Sequence, residues 1–398
     1  MRALYVSHTA QVSGGERSLL DLLDALPASV QAQVAAPRGQ LQQVLAARGI
    51  ATTPIVGTAG SLRAHPLHTP LAVGQLALSA AQVSRAARRQ RAEILHANSI
   101  RAGIVLALAR APHAVRIVHV RDCLPAGTIT NATMRTLAAT AETIVANSHY
   151  TARSLLSAAP HAPVEVVHNA VDLVRFDPAR IDRVAARARL QGVDGARLLL
   201  GVVAQLTPWK GQDTAIEALA ALHRQGVDAH LLLIGSAKFV ARATRYDNAG
   251  YQRRLRELAR TAGIADRVSW LGEREDVPEL MRALDVLLVP SWEEPFGRTV
   301  LEGMALEVPV LATDVGGPAE ILHDGREGLL LAPRRAGEWA RALAALAGDP
   351  ERRARMGRAG RERVEQRFSI AAHVAAMLAV YERALARPPA GCAMLPAC

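Results

Sequence analysis

Two glutamates eight residues apart, Glu294 and Glu302, bracket a Pro-Phe-Gly turn in the segment Pro290-Ser-Trp-Glu-Glu-Pro-Phe-Gly-Arg-Thr-Val-Leu-Glu302. The apolar run at 285–289 reads as a buried strand, and the residues from Arg298 onward read as a helix. A helix opening there leaves the backbone N–H groups of Gly297, Arg298, Thr299 and Val300 without intrahelical partners, which makes an anion site. A carboxylate accepts hydrogen bonds from paired hydroxyls, as on a ribose or a hexose. One glutamate near a helix start is ordinary dipole complementation. Two around the same turn describe a pocket for a phosphate with sugar hydroxyls on either side, which is a nucleotide-sugar pocket.

Lysine occurs only at Lys210 and Lys238 in a chain with 47 Lys and Arg. A compact ammonium among so many guanidiniums points to a specific point charge. Lys210 sits in Thr207-Pro-Trp-Lys-Gly-Gln-Asp213, after an apolar strand at 198–203. Nearer the start, Ser13-Gly-Gly-Glu-Arg17 joins the first strand to the first helix. Gly14 and Gly15 permit close backbone approach and offer N–H groups at a helix start, although an ordinary tight turn has the same look. His119 ends a strand at 116–120 and precedes Arg121 and Asp122; His96 and Asn98, ending the strand before it, are weaker acceptor-side candidates. His8, His149 and His168 are expected to be structural. No Asp-x-Asp pair occurs, so a carboxylate site for a divalent metal is not expected. Charge neutralisation then falls to lysine, arginine and the helix dipole.

Glu-Pro-Phe-Gly with a glutamate eight residues after the first resembles the E-x7-E motif of the family 4 retaining glycosyltransferases, which have the GT-B fold. The Lys-Gly loop at 207–213 resembles the family's loop after the first strand of its C-terminal domain. Ala146-Asn-Ser-His-Tyr-Thr-Ala-Arg153, Val166-Val-His-Asn-Ala-Val-Asp172 and Asp314-Val-Gly-Gly-Pro-Ala-Glu320 match further family positions, and the likeness runs from about residue 1 to 383. It implies that Glu302 holds the donor's ribose hydroxyls. Glu294, with the Phe296–Gly297 backbone, would hold the transferred sugar, and Lys210 would neutralise the departing diphosphate. Gly14 and Gly15 would lie beside the donor phosphate and the acceptor, and His119 against the transferred sugar. The family commonly has an arginine five or so residues before its lysine; here that residue is Gln205, whose amide donates to a phosphate but adds no charge. Losing that cation costs on the order of several kcal/mol of transition-state stabilisation. Arg298 or Arg274 is available to restore it.

The implied reaction moves a sugar from a nucleotide-diphosphate donor to an acceptor hydroxyl with retention, without metal or further cofactor. The acceptor would be a polysaccharide, glycolipid or natural product. A phosphorylase, a nucleotide-sugar epimerase or a pseudoglycosidic coupling enzyme would share the architecture. Gln205 also keeps open a binding subunit without turnover.

These groups need a scaffold. Short apolar strands alternate with helical stretches of 10–15 residues over nearly the whole chain, which predicts parallel sheets covered by helices. The turn-rich 169–178 stretch divides the chain into two tandem Rossmann-like, doubly wound domains facing a central cleft. The expected limits are 1–175 for the acceptor-side domain and 176–368 for the nucleotide-sugar domain. A helix at 369–387 could complete the first, and 388–398 forms a mobile tail. Ligands in such sheets bind at the carboxyl ends of the strands, at the topological switch point. Acceptor contacts are expected from N-terminal loops such as 57–70, and base contacts from the backbone of 272–274.

The 398 residues carry a net charge of +11. GC-biased coding accounts for much of this arginine-rich basicity. Aromatics at 3%, without basic-aromatic interleaving, argue against nucleic acid as a partner. Arg85, Arg88, Arg89 and Arg91 lie on one helical stretch that suits either solvent or an anionic membrane surface. Cys123, Cys392 and Cys398 lack metal-ligand spacing, which suits a reducing compartment. The first residues run directly into a strand, and no apolar run reaches the ~18 residues of a membrane span. A cytoplasmic protein, with possible contact at the inner membrane face, is the expectation.

Overall fold

The computed structural model describes residues 1–57, 68–190, 193, 198–237 and 246–386, with backbone only at 68–71. Lys238, Cys392, Cys398, the 388–398 tail and residues 58–67 of the anticipated acceptor loop lie outside the described residues. The chain divides into two compact units. One is Met1–Ala170 together with the chain from Ile370; the other is Val171–Ser369.

In the first unit the order is β1 (Arg2–Val6), α1 (Gly14–Asp24), β2 (Gln31–Ala36), α2 (Gln40–Ala47), β3 (Ala51–Pro54) and α3 (His68–Gln90). Then come β4 (Ile94–Ala97), α4 (Ile100–Leu108), β5 (Val115–Val120), α5 (Thr128–Thr140), β6 (Thr143–Ala146), α6 (His149–Ala158) and β7 (Val164–Val166). Its described strands form a parallel sheet in the order β3-β2-β1-β4-β5-β6-β7. The second unit contains α7 (Arg183–Ala188), β8 (Leu198–Val203), α8 (Gln212–Arg224), β9 (Ala229–Ile234), α9 (Asn248–Thr261) and β10 (Val268–Gly272). It continues with α10 (Val277–Ala283), β11 (Val286–Val289), α11 (Arg298–Ala305), β12 (Val310–Thr313), α12 (Pro318–Ile321), β13 (Gly328–Leu331), α13 (Ala336–Ala347) and α14 (Pro350–Arg367). The described strands run in the order β10-β9-β8-β11-β12-β13, again all parallel. Each sheet therefore reverses its winding at one place: between β1 and β4 in the first unit, and between β8 and β11 in the second. Loops leaving two neighbouring strands diverge there and open a crevice.

Helices on both faces explain why the central strands read as unbroken apolar runs. Leu198 to Val202 in β8 and Val286 to Val289 in β11 are buried from either side. The last helix, α15 (Ile370–Ala386), belongs to the first unit. Its Val374, Met377, Val380 and Tyr381 pack with Tyr5, Ile94, Ile117 and Val145 on one face of that sheet. The other face carries Leu95, Val118 and Val120 against α3, α4 and α5.

Several local expectations change. Helix α1 opens at Gly14 rather than after Arg17, so the glycine pair forms its first turn. Glu16 explains the early start: its carboxylate accepts from the Ser13 N–H at 3.2 Å and from the Ser13 hydroxyl at 2.5 Å. Early in the second unit the chain forms a 3-10 turn, Pro178–Arg180, followed by α7. Asp177 and Asp182 each cap a helical turn with the side chain, which restarts the helix. Strands β2, β3, β7 and β13 were not anticipated. They are short and mostly half-exposed or polar, so neighbouring strands rather than a local pattern define them.

Candidate active site

The second unit's switch point brings together Lys210, Glu294 and the start of α11. After β8 the chain turns through Thr207 into a 3-10 turn, Pro208–Lys210, which ends at Gly211 in the left-handed region (φ 68°). A Cβ on Gly211 would stand 1.9 Å from the Pro290 carbonyl oxygen. Only glycine lets the loop after β8 lie directly on the loop after β11. A second tie runs from the Trp292 N–H to the Trp209 carbonyl at 2.8 Å. This packing carries Lys210 to Glu294: Nζ lies 2.5 Å from Oε2, with both side chains largely buried. Ser291 donates its hydroxyl to the same oxygen at 3.0 Å, and the ammonium sits 4.0 Å over the Trp209 ring. Lys210, Ser291 and Thr299 line one small pocket with Val203, Ala204 and Pro290.

The loop after β12 clasps the backbone of Glu294 from another side. The Glu294 N–H donates to the Val315 carbonyl at 3.2 Å, and its own carbonyl accepts from the Gly317 N–H at 2.8 Å. A Cβ on Gly316 would fall 2.0 Å from that carbonyl oxygen. Phe296 is buried, its ring 6.5 Å from that of Phe368. Gly297 follows at φ 99° and starts α11; the N–H of fully buried Val300, expected to lack a partner, instead donates to the Gly297 carbonyl at 2.9 Å, because the first turn of the helix is tightened. Arg298, the first helical residue, lies 3.7 Å from Glu302, one turn further along. The crevice thus combines an ammonium on one loop, a carboxylate on the neighbouring loop, and a helix start that carries a second carboxylate one turn in.

Gln205 is half-buried in the turn after β8, its carbonyl accepting from buried Gln212 at 2.9 Å. Of the two arginines left open as substitutes for a cation there, Arg274 is bound at the surface by both carboxylate oxygens of Asp276, at 2.7 and 2.6 Å. That pairing holds the Asp276 carboxyl below its usual range. Arg298 is the one on the crevice helix.

In the first unit, Gly14 is exposed, and a Cβ there would meet nothing within 4 Å. Gly15 lies over Arg121, its carbonyl accepting from Asn98 at 3.2 Å. His119 has no exposed surface, so the expected direct contact with a sugar does not fit its burial. Instead Arg121, just beyond the end of β5, covers it. A guanidinium only donates, so the 3.2 Å contact from Arg121 makes His119 Nδ1 an acceptor and puts the ring proton on Nε2. Arg121 also donates to Asn98 at 3.1 Å and to Asn169 at 2.7 Å. Burial first, then Arg121, hold the His119 imidazole well below its usual range and therefore neutral. His96 hydrogen-bonds Tyr381 at 2.7 Å, and Tyr381 donates to Tyr5 at 3.2 Å.

Sequence reasoning missed Ser291, Trp209 and the clasping role of Gly316 and Gly317. Ser291 stands three residues before Glu294, a spacing suited to a local hydrogen bond, and was readable in principle. The ring beneath Lys210 was not.

Arg85, Arg88 and Arg89 project from α3 into solvent, with Arg91 exposed just past its end; Val73 and Leu78 on the same helix are at least half exposed. Among the described residues no helix is long and apolar enough to cross a membrane.

Comparison with known proteins agrees with this layout. Residues 12–175 match the family described as Glycosyltransferase Family 4, and residues 188–363 match Glycosyl transferases group 1. A D-inositol 3-phosphate glycosyltransferase of Nocardia farcinica is 37% identical over 227 residues, covering 55% of this chain and 48% of that protein. The lipopolysaccharide core biosynthesis mannosyltransferase LpsB of Rhizobium meliloti is 33% identical over 243 residues, 61% of this chain and 65% of LpsB. The chain thus spans about half to two thirds of the length of the curated relatives it matches. Among solved structures, HepE of Anabaena in complex with UDP-glucose superposes with a TM-score of 0.82 at 24% identity, over 96% of this chain and all of that one. Two Rossmann-like units of this order are the GT-B fold, and with both halves matched the chain belongs to the family 4, group 1 glycosyltransferases.

Proposed function

We propose that the protein is a retaining glycosyltransferase that takes a nucleotide-diphosphate sugar and delivers the sugar to an acceptor hydroxyl. The observation that carries this reading is the meeting of Lys210, Glu294, Glu302 and the α11 N-terminus at one switch point. The second unit binds the donor and the first serves the acceptor. The diphosphate lies at the N–H groups of Gly297, Arg298 and Thr299, with Lys210 as counter-charge and the Gln205 amide alongside. Glu302 takes the ribose hydroxyls; Glu294 and the Phe296–Gly297 backbone take the transferred sugar. Arg298 replaces the cation missing at 205. Gly14 and Gly15 border the acceptor, and His119 acts through Arg121 as a neutral support.

The bond from the anomeric carbon to the phosphate oxygen breaks as the acceptor oxygen bonds to that carbon on the same face. The departing phosphate oxygen takes the acceptor's proton. Negative charge grows on the diphosphate as it leaves, and preorganised donors and Lys210 stabilise it most at that moment. A divalent metal is not needed for this step.

The exposed arginines of α3, beside Val73 and Leu78, are proposed to rest on anionic lipid at the cytoplasmic membrane face. Cosedimentation with anionic vesicles is expected at low salt and is expected to be lost at 0.5 M salt or after Arg-to-Gln changes at 85, 88 and 89; binding indifferent to both refutes the contact.

The transferase reading is tested by a thermal-shift panel of UDP, GDP, ADP and dTDP, followed by transfer from the matching labelled sugar nucleotide. One nucleotide at ~100 times its Kd should stabilise the fold by about 2.7 kcal/mol. UDP, with UDP-glucose, is the first to try, being the ligand in the Anabaena structure. Binding without hydrolysis or transfer to any acceptor would leave a non-catalytic subunit as the better reading.

A further inference from the structure

The two groups assigned to opposite ends of the donor neutralise each other in this structure. Lys210 Nζ and Glu294 Oε2 are 2.5 Å apart, and the side chains are only 16% and 11% exposed. Ser291 fixes the carboxylate in that direction by donating to the same oxygen. Trp209 occupies one side of the ammonium, 4.0 Å from its ring centroid, which leaves fewer directions from which a phosphate oxygen can arrive without displacing Oε2. Separating a largely buried pair is costly unless each charge finds a new partner.

We propose that the Lys210–Glu294 ion pair is a partner-exchange gate by which the site favours a nucleotide sugar over the nucleoside diphosphate left after transfer. The proposal rests on the reading that Lys210 meets the diphosphate and Glu294 the sugar. When a diphosphate takes Lys210, Glu294 loses its cation. The hydroxyls of an attached sugar replace that partner. A bare nucleoside diphosphate offers nothing in its place, so the carboxylate is left with Ser291 alone and the product is held more weakly than its charge warrants. The same residue that orients the sugar thereby promotes product release.

The experiment titrates UDP against UDP-glucose, and GDP against GDP-mannose, by calorimetry on the full chain and its Glu294→Gln and Ser291→Ala variants. Gln keeps the size of the side chain and removes its charge. E294Q is expected to bind the bare nucleoside diphosphate about 3- to 10-fold more tightly than the native protein, while gaining nothing for the sugar nucleotide. S291A keeps both charges but removes the one partner left to the carboxylate once Lys210 is taken, and should weaken the bare diphosphate relative to the sugar nucleotide, moving the same ratio of affinities the other way by a smaller factor. Melting temperatures establish that each variant is folded; should E294Q not fold, S291A decides. If the native protein binds the nucleotides but E294Q does not tighten the bare diphosphate and S291A does not weaken it, the gate is refuted and the transferase reading stands. If the native protein binds no nucleotide, that reading fails and the gate with it.

Discussion

Replacing Lys210 with methionine is expected to lower kcat for sugar transfer by about 10²–10³ while changing donor KM much less. The asymmetry follows from when charge appears. In the bound donor, the diphosphate's charge is already shared among the N–H groups of α11, Lys210 and solvent, and engaging Lys210 there costs its pairing with Glu294; as the anomeric bond breaks, the bridging oxygen gains further charge that only a preorganised cation meets without reorganisation. Lys210 is held for this task by Gly211 against Pro290 and by Trp209 beneath it. Methionine keeps the apolar stem and deletes the ammonium. It also strips Glu294 of its partner, so the clean measurement is a cycle of K210M, E294Q and the double variant. The loss of kcat should persist in the double variant, where no unpaired carboxylate remains. A rise in KM with kcat intact would make Lys210 a binding residue only.

Acid is expected to unfold the first unit from a pH well above that at which carboxylates titrate. His96 is held at a pKa of about 3, by burial first and then by Arg121 and His373; His119 is also held well below its ordinary value, by burial first and then by Arg121, His96 and His373. These groups lie on β4, β5 and α15, with Tyr5 from β1 and Tyr381 from α15 closing the cluster and the His373 Nδ1–H donating to the His168 carbonyl at 2.7 Å. Because the folded pKa values are depressed, the unfolded chain binds more protons below pH ~6.5. Stability is therefore full above that pH and falls as pH drops towards 3. His96 forfeits about 1.4 kcal/mol per pH unit over this range, roughly 3 kcal/mol by pH 4.5, and His119 acts in the same direction. The share of His96 alone is a large fraction of the stability of a typical domain, about 5–15 kcal/mol. Urea melts at stepped pH test this, with His96→Gln expected to reduce the slope of stability against pH by one proton's worth. All four tryptophans lie in the second unit. Loss of far-UV circular dichroism should accordingly begin before tryptophan fluorescence changes, and a stability independent of pH between 6.5 and 4.5 would refute the assignment.

What could be read along the chain was whatever lies close along the chain. The unbroken apolar strands, the division near residue 170 and the Glu294–Glu302 spacing are local patterns: a strand, a loop and a helix start within twenty residues carry their own instructions. The fold class follows, since such strands alternating with amphipathic helices have few arrangements other than covered parallel sheets. Tertiary structure alone decided what parallel sheets bring together from afar. Lys210 and Glu294 are 84 residues apart and touch because β8 and β11 are neighbours at the switch point. Tyr381 reaches Tyr5 across 376 residues because α15 returns to cover the first sheet. His119, which a linear reading places openly at a strand end, is buried because Arg121 folds back over it and is held there by Asn98 and Asn169. Residue types and short spacings are encoded locally, whereas charge pairing and burial depend on which strands become neighbours, and that is settled only when the whole sheet closes.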